Sequence, residues 1–102
     1  MTRATIPSIL KIAGLTWPVR LRATIKHEGA DCIGLCRPTK QDLLIHRDLA
    51  KTPEQARRVL LHEALHAMLW ETEHFHDEAL IDRLTERVDM LYADNLDFRG
   101  MY

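Results

Sequence analysis

Residues 59–69 read V-L-L-H-E-A-L-H-A-M-L, and the five at their centre, His62-Glu63-Ala64-Leu65-His66, constrain this chain more than any other stretch. On an α-helix, positions four apart share a face about one turn apart, so both imidazoles can reach a single metal ion. Glu63 directly follows the first histidine, where a carboxylate beside the metal can take a proton from bound water. With six histidines in 102 residues, the H-E-x-x-H pattern arises by chance in roughly 2% of chains of this make-up. The surroundings of the motif therefore carry the argument.

Those surroundings predict a long buried helix. Thr52 is a capping residue, Pro53 suits the first turn, Glu54 suits the positive end of the helix dipole, and Gln55 completes a T-x-x-Q capping box. Ala56, Leu60, Leu61, Ala64, Leu65 and Met68 make the helix widely apolar as far as Trp70 or Glu71. Inside such a helix His62, Glu63 and His66 each need a polar partner. A metal ion satisfies all three together, and zinc is the expected cofactor.

A catalytic zinc normally has three protein ligands. The third is expected from the helix predicted over residues 77–95, whose stripe is Ile81, Leu84, Val88, Leu91 and Tyr92, or from the polar connection before it. A short loop makes the two helices antiparallel neighbours. The candidates are His74, His76, Asp77, Glu78 and Asp82. Helical phase turns Asp77 inward, puts Glu78 at the border of the stripe and turns Asp82 mostly outward. Glu78, long enough to reach from that border, is the leading choice. Asp77 reads equally as an N-cap, and acids are favoured in any first helical turn. His74, His76 or Tyr92 could hold the oxyanion of a tetrahedral intermediate, although His76 reads more simply as an exposed loop residue. His27 and His46 carry no role.

The first half of the chain predicts a short N-terminal helix over residues 7–13, begun by Pro7 and stopped by Gly14. Residues 1–5 read as a loose start. Residues 19–27 alternate, with Val19, Leu21, Ala23 and Ile25 on a buried face and Arg20, Arg22, Thr24 and Lys26 on a wet one. Two further strands follow, over residues 32–37 and over Asp42–His46, divided by turn-forming residues. Short connections suggest a three-stranded, mostly antiparallel meander, one edge of which could accept an extended peptide. Beyond residue 95 the tail reads as frayed. Cys32 and Cys36, about 13 Å apart if they share a strand, cannot form a disulfide and read as reduced, partly buried thiols.

Length predicts one domain over residues 1–102. A formal net charge of −1 gives no general pull toward nucleic acid or an anionic membrane. The basic row of residues 20–26 has no interleaved aromatics, so it reads as a solvated face. No apolar run approaches the roughly 20 residues of a membrane span, and residues 1–20 lack the pattern of a secretory signal, so a cytoplasmic protein is expected. The oligomeric state is not legible.

A strand meander, then L-L-H-E-A-L-H-A, then a helix reading D-E-A-L-I-D-R-L and ending D-N resembles the small zincin-type metallopeptidases of phages and prophages. The likeness, over about residues 19–97, is to minimal gluzincins and more distantly to the ImmA/IrrE and SprT-like groups. It implies a glutamate as third ligand, favouring Glu78. The third histidine of SprT-like proteins keeps His74 open, and the E-x-x-A-N-x-F-A pattern of the ImmA/IrrE group is absent. The resemblance also implies a mixed sheet whose edge strand, residues 32–37 or Asp42–His46, aligns the substrate.

The expected fold is thus α+β and zincin-like: a short N-terminal helix, a three-stranded sheet and two packed helices. The expected activity is zinc-dependent hydrolysis of a peptide or protein, with His62, His66 and Glu78 on the metal and Glu63 as general base. The alternative is a zinc-binding but catalytically silent phage regulatory protein. Nothing in the sequence defines a specificity pocket.

Overall fold

The computed structural model describes residues 6–48 and 51–95. The loose start at 1–5 and the frayed tail at 96–102 lie outside the described residues. The order of elements is β1 (Ile9–Ile12), β2 (Leu15–Arg22), β3 (Lys26–His27), β4 (Ala30–Asp31), β5 (Gly34–Arg37), β6 (Asp42–His46), α1 (Pro53–Met68) and α2 (Glu78–Asp94). This is an α+β architecture: a mixed four-stranded sheet in the order β1-β2-β6-β5, a separate β3–β4 ribbon, and two helices.

The N-terminal helix expected over residues 7–13 is instead a strand. Ala13 and Gly14 have φ of 51° and 81°, and two successive left-handed residues make a type I′ turn, whose twist matches an antiparallel hairpin. Ile12 therefore pairs with Leu15 and Ile9 with Pro18. Gly14 does act as a stop, but for a strand. The Glu28–Gly29 pair, with φ of 53° and 81°, repeats the device at the tip of the β3–β4 ribbon.

The three-stranded antiparallel meander is also corrected. β5 and β6 do form an antiparallel hairpin, and β6 spans Asp42–His46 as expected. Its other neighbour, however, is β2, which it joins in parallel. Leu43, Leu44 and Ile45 are all buried, and a continuous apolar run belongs in a central strand covered on both faces. The ribbon carries the chain past the site of β6, leaving β5 on the edge. Sheet strand β2 ends at Arg22, so the alternation read over residues 19–27 is split. Val19 and Ile25 are buried, whereas Leu21 is exposed.

Strands β1, β5 and β6 carry α1. Trp17, Leu43 and Ile45 meet Ala56, Val59, Ala64 and Ala67 in the core, and the alanines let the helix lie close to the sheet. The start of α1 is capped as expected: Thr52 Oγ1 accepts from the Gln55 N–H at 3.1 Å. Gln55 Oε1 accepts from the Lys51 N–H, also at 3.1 Å, one residue earlier than an ideal capping box requires. Asp77 caps α2, its Oδ1 accepting from the Leu80 N–H at 3.1 Å.

Two buried carboxylates tie elements together. Asp42 on β6 accepts from Arg37 Nε and Nη2 at 2.8 and 2.6 Å and from Arg20 Nε at 3.1 Å. Asp89 on α2 accepts from Arg57 Nε at 2.6 Å and Arg58 Nε at 2.8 Å, both on α1. Each fork of charge-assisted bonds offsets the cost of taking a carboxylate out of water. Arg20, read as part of a solvated face, is committed to Asp42.

Candidate metal centre

Helix α1 brings His62, Glu63 and His66 to the side where it meets β5 and α2, and His66 and Glu63 are buried there. The first turn of α2 brings Glu78 opposite them. Its Oε1 lies 3.0 Å from His66 Nε2 and its Oε2 lies 3.2 Å from His62 Nε2. One ligand atom from each of the three residues lies within 4.8 Å of the others. Ligands at about 2.0–2.2 Å around a tetrahedral zinc stand roughly 3.3–3.5 Å apart, so these separations fit one ion with little movement.

The outer nitrogens of the two imidazoles are already engaged. His66 Nδ1 donates to the Phe75 carbonyl at 2.7 Å, and His62 Nδ1 faces Asp82 Oδ1 at 3.2 Å. With an ion between Nε2 and Glu78, an acceptor at Nδ1 would keep the proton there and the Nε2 lone pair on the metal, as in metal-ligating histidines generally. Two nitrogens and one carboxylate oxygen are a donor set suited to zinc.

Glu63 lies beneath this group, between α1 and β5. Burial first, and then the negative charge of Glu78, push its carboxyl up to about 8, while a hydrogen bond from the Cys36 backbone pulls it back. The strand can come this close because residue 34 is glycine. A Cβ there would stand 2.8 Å from Val59 Cγ1 and 2.9 Å from Glu63 Oε2. The Cys36 thiol is pushed up to about 12, by burial and then by Glu63 and Asp42, and it is not among the ligand atoms that come together at His62, His66 and Glu78. Both cysteines are free.

These groups line a cleft of about 720 Å³ between β5, α1 and α2. Trp70, Phe75, Ile33 and Leu35 supply apolar wall, and Arg58 and Thr85 lie along the seam of the helices.

Of the other residues proposed from sequence, Asp77 is exposed and occupied as the α2 cap. His74 is exposed and faces Glu73 at 3.3 Å. His76 lines the cleft and packs edge-on against Phe75. Tyr92 is about four turns along α2 from Glu78 and does not line the cleft. Asp82, read as pointing mostly outward, is exposed but reaches His62. The signal for it was present, since Asp82 lies four residues after Glu78 and so on the same face one turn on. The Phe75 carbonyl gave no signal, because any residue type could have supplied it. His27 also lines the cleft, from the β3–β4 ribbon.

Among the described residues no helix is long and apolar enough to cross a membrane. Compared with protein-family models, with curated proteins and with solved structures, the chain matches none.

Proposed function

We propose that this chain is a zinc-dependent metallopeptidase of the zincin type. The observation that carries the reading is the convergence of His62 Nε2, His66 Nε2 and the Glu78 carboxylate on one point above the buried Glu63. A buried carboxyl beside a metal-type donor set in a cleft is the arrangement that metal-assisted general-base hydrolysis uses.

His62, His66 and Glu78 would hold the ion, with Asp82 and the Phe75 carbonyl keeping the imidazoles turned toward it. A bound zinc ion supplies a Lewis acid for the scissile carbonyl and acidifies water at neutral pH. Glu63 would accept the proton from the attacking water and return it to the leaving amine. Edge strand β5 has no strand neighbour on its outer side among the described residues, so apart from the Cys36 N–H, which bonds to Glu63, an extended peptide can align there by strand addition. The apolar walls of the cleft exclude water from that peptide.

The test is digestion of a peptide library by zinc-loaded wild type and Glu63→Gln, with metal content measured on both. One zinc per chain in both proteins and cleavage only by wild type are the expected results. Zinc in both with cleavage by neither would instead mark a metal-binding protein that does not hydrolyse peptides.

A further inference from the structure

The cleft has one cationic residue other than histidine among the residues that line it, and that residue is held in an unusual way. Arg58 lies four positions before His62 on α1, one turn away and about 6 Å along the helix axis. Its Nε donates to Asp89 Oδ2 at 2.8 Å, so one edge of the guanidinium is fixed to α2. Its two terminal nitrogens make no hydrogen bond to any described residue, and 61% of the side chain remains exposed. Arg57 holds the other oxygen of Asp89 but does not line the cleft. Asp89 is thus anchored without Arg58.

The carboxyl groups among the described residues of the cleft are Glu63, Glu78 and Asp82, and Glu86 adds negative charge beside Arg58. A metal ion bound by His62, His66 and Glu78 would offset those charges locally. A peptide carboxylate would be repelled elsewhere but has a positioned partner at Arg58, whose planar fork matches a carboxylate better than a lysine ammonium does. Asp89, which fixes the guanidinium, lies seven residues or about 10 Å along α2 from Asp82, the partner of His62. An extended chain rises about 3.3 Å per residue, so the guanidinium stands about three or more residues of substrate from the metal cluster.

We propose that Arg58 is a specificity-determining residue that reads a carboxylate about three or more residues from the scissile bond. The carboxylate is either an Asp or Glu side chain or the end of the peptide chain. This rests on the peptidase reading given above and deepens it by naming the substrate class.

The test uses zinc-loaded protein and matched peptides differing only by Glu against Gln, swept across six positions on each side of the cleaved bond. Each is made with a free and an amidated C-terminus. Wild type is expected to favour the acid at one position, or the free terminus, by about fivefold in kcat/KM, the size of a partly exposed ion pair. Arg58→Gln should abolish that preference, Arg58→Lys should keep part of it, and Arg57→Gln should leave it intact. Circular dichroism on each variant checks folding. If wild type cleaves none of the peptides, the same pairs are compared by calorimetric binding. A Glu-over-Gln preference there that is lost in Arg58→Gln upholds the carboxylate site while removing the hydrolytic reading. No acid preference in either assay, or equal loss of it in Arg57→Gln, overturns the proposal.

Discussion

The α-carbon of Gly34 on the edge strand faces the side chain of Glu63 so closely that a methyl group would stand 2.9 Å from Oε2 and 3.0 Å from Cγ. The strand that borders the cleft and the buried base are therefore fitted to each other at a position where only hydrogen has room. Gly34→Ala should displace Glu63 or Val59 and cost about 1–3 kcal/mol of stability, the usual range for overpacking. Hydrolysis should fall further than stability does, by tenfold or more, because a shift of about 1 Å in a catalytic group is enough for that. Thermal melts run beside the peptide digest separate the two losses.

The contact between Asp82 and His62 predicts a graded set of metal affinities. Asp82→Asn should weaken zinc binding by about 10–100-fold, as loss of a carboxylate behind a ligating histidine normally does. Glu78→Ala should weaken it more. Asp77→Ala should leave it unchanged and cost only about 1 kcal/mol of stability through the lost cap. Titration against a chelator of known affinity reads all three. If Glu78→Ala keeps full zinc affinity, the donor set is wrong.

Glu63→Gln should abolish cleavage and yet remove a cost from the metal-free fold. Between its ordinary value of 4.5 and about 8, the folded carboxyl retains a proton that the unfolded chain has released. The metal-free protein should therefore lose stability as pH rises from about 5 to 8, by an amount on the order of 3 kcal/mol, and the variant should not. Denaturant midpoints of both proteins across that range provide the measurement.

Asp42 and Asp89 act in the opposite sense. Hydrogen bonds from Arg37 to Asp42, and from Arg57 to Asp89, are the largest of the effects that hold these carboxyls below their ordinary value of 3.8. The stability they lend is present above that value and is lost as pH falls through the depressed pKa of the folded state. Acid unfolding of wild type should steepen below about pH 4. Asp89→Asn should blunt that step and cost about 1–3 kcal/mol at pH 7, where the bonds from Arg57 and Arg58 lose their charged acceptor.

The helical half of the molecule was the legible half. Caps at Thr52 and Asp77 and apolar stripes at the helical period are local signals, and they bounded α1 and α2 to within about two residues. Glu78 was reachable by helical phase and side-chain length together. The sheet was less legible because strand pairing is settled by distant residues. Pro7 and Gly14 serve a helix or a hairpin equally well, and an Ala-Gly turn lacks the Asn-Gly signature of a type I′ hairpin. The run Leu43-Leu44-Ile45 reads as a strand, with Asp42–His46 offered as a possible edge, whereas it is a central strand whose second neighbour comes from a much earlier part of the chain. The partners of Arg20 and Asp82 were missed for one reason: long polar side chains on an outward phase can still turn back to a buried or half-buried group.

The order β1-β2-β6-β5 puts the N-terminal hairpin and the cleft on opposite edges of the sheet, three strand spacings or about 14 Å apart. Strand β1, and with it the start of the hairpin, lies on the edge of the sheet away from Glu63. A reporter or affinity handle inserted in the turn that carries Phe75 would pull directly on the carbonyl that orients His66. For labelling this protein in working form, the β1 hairpin is a better place than the turn between α1 and α2.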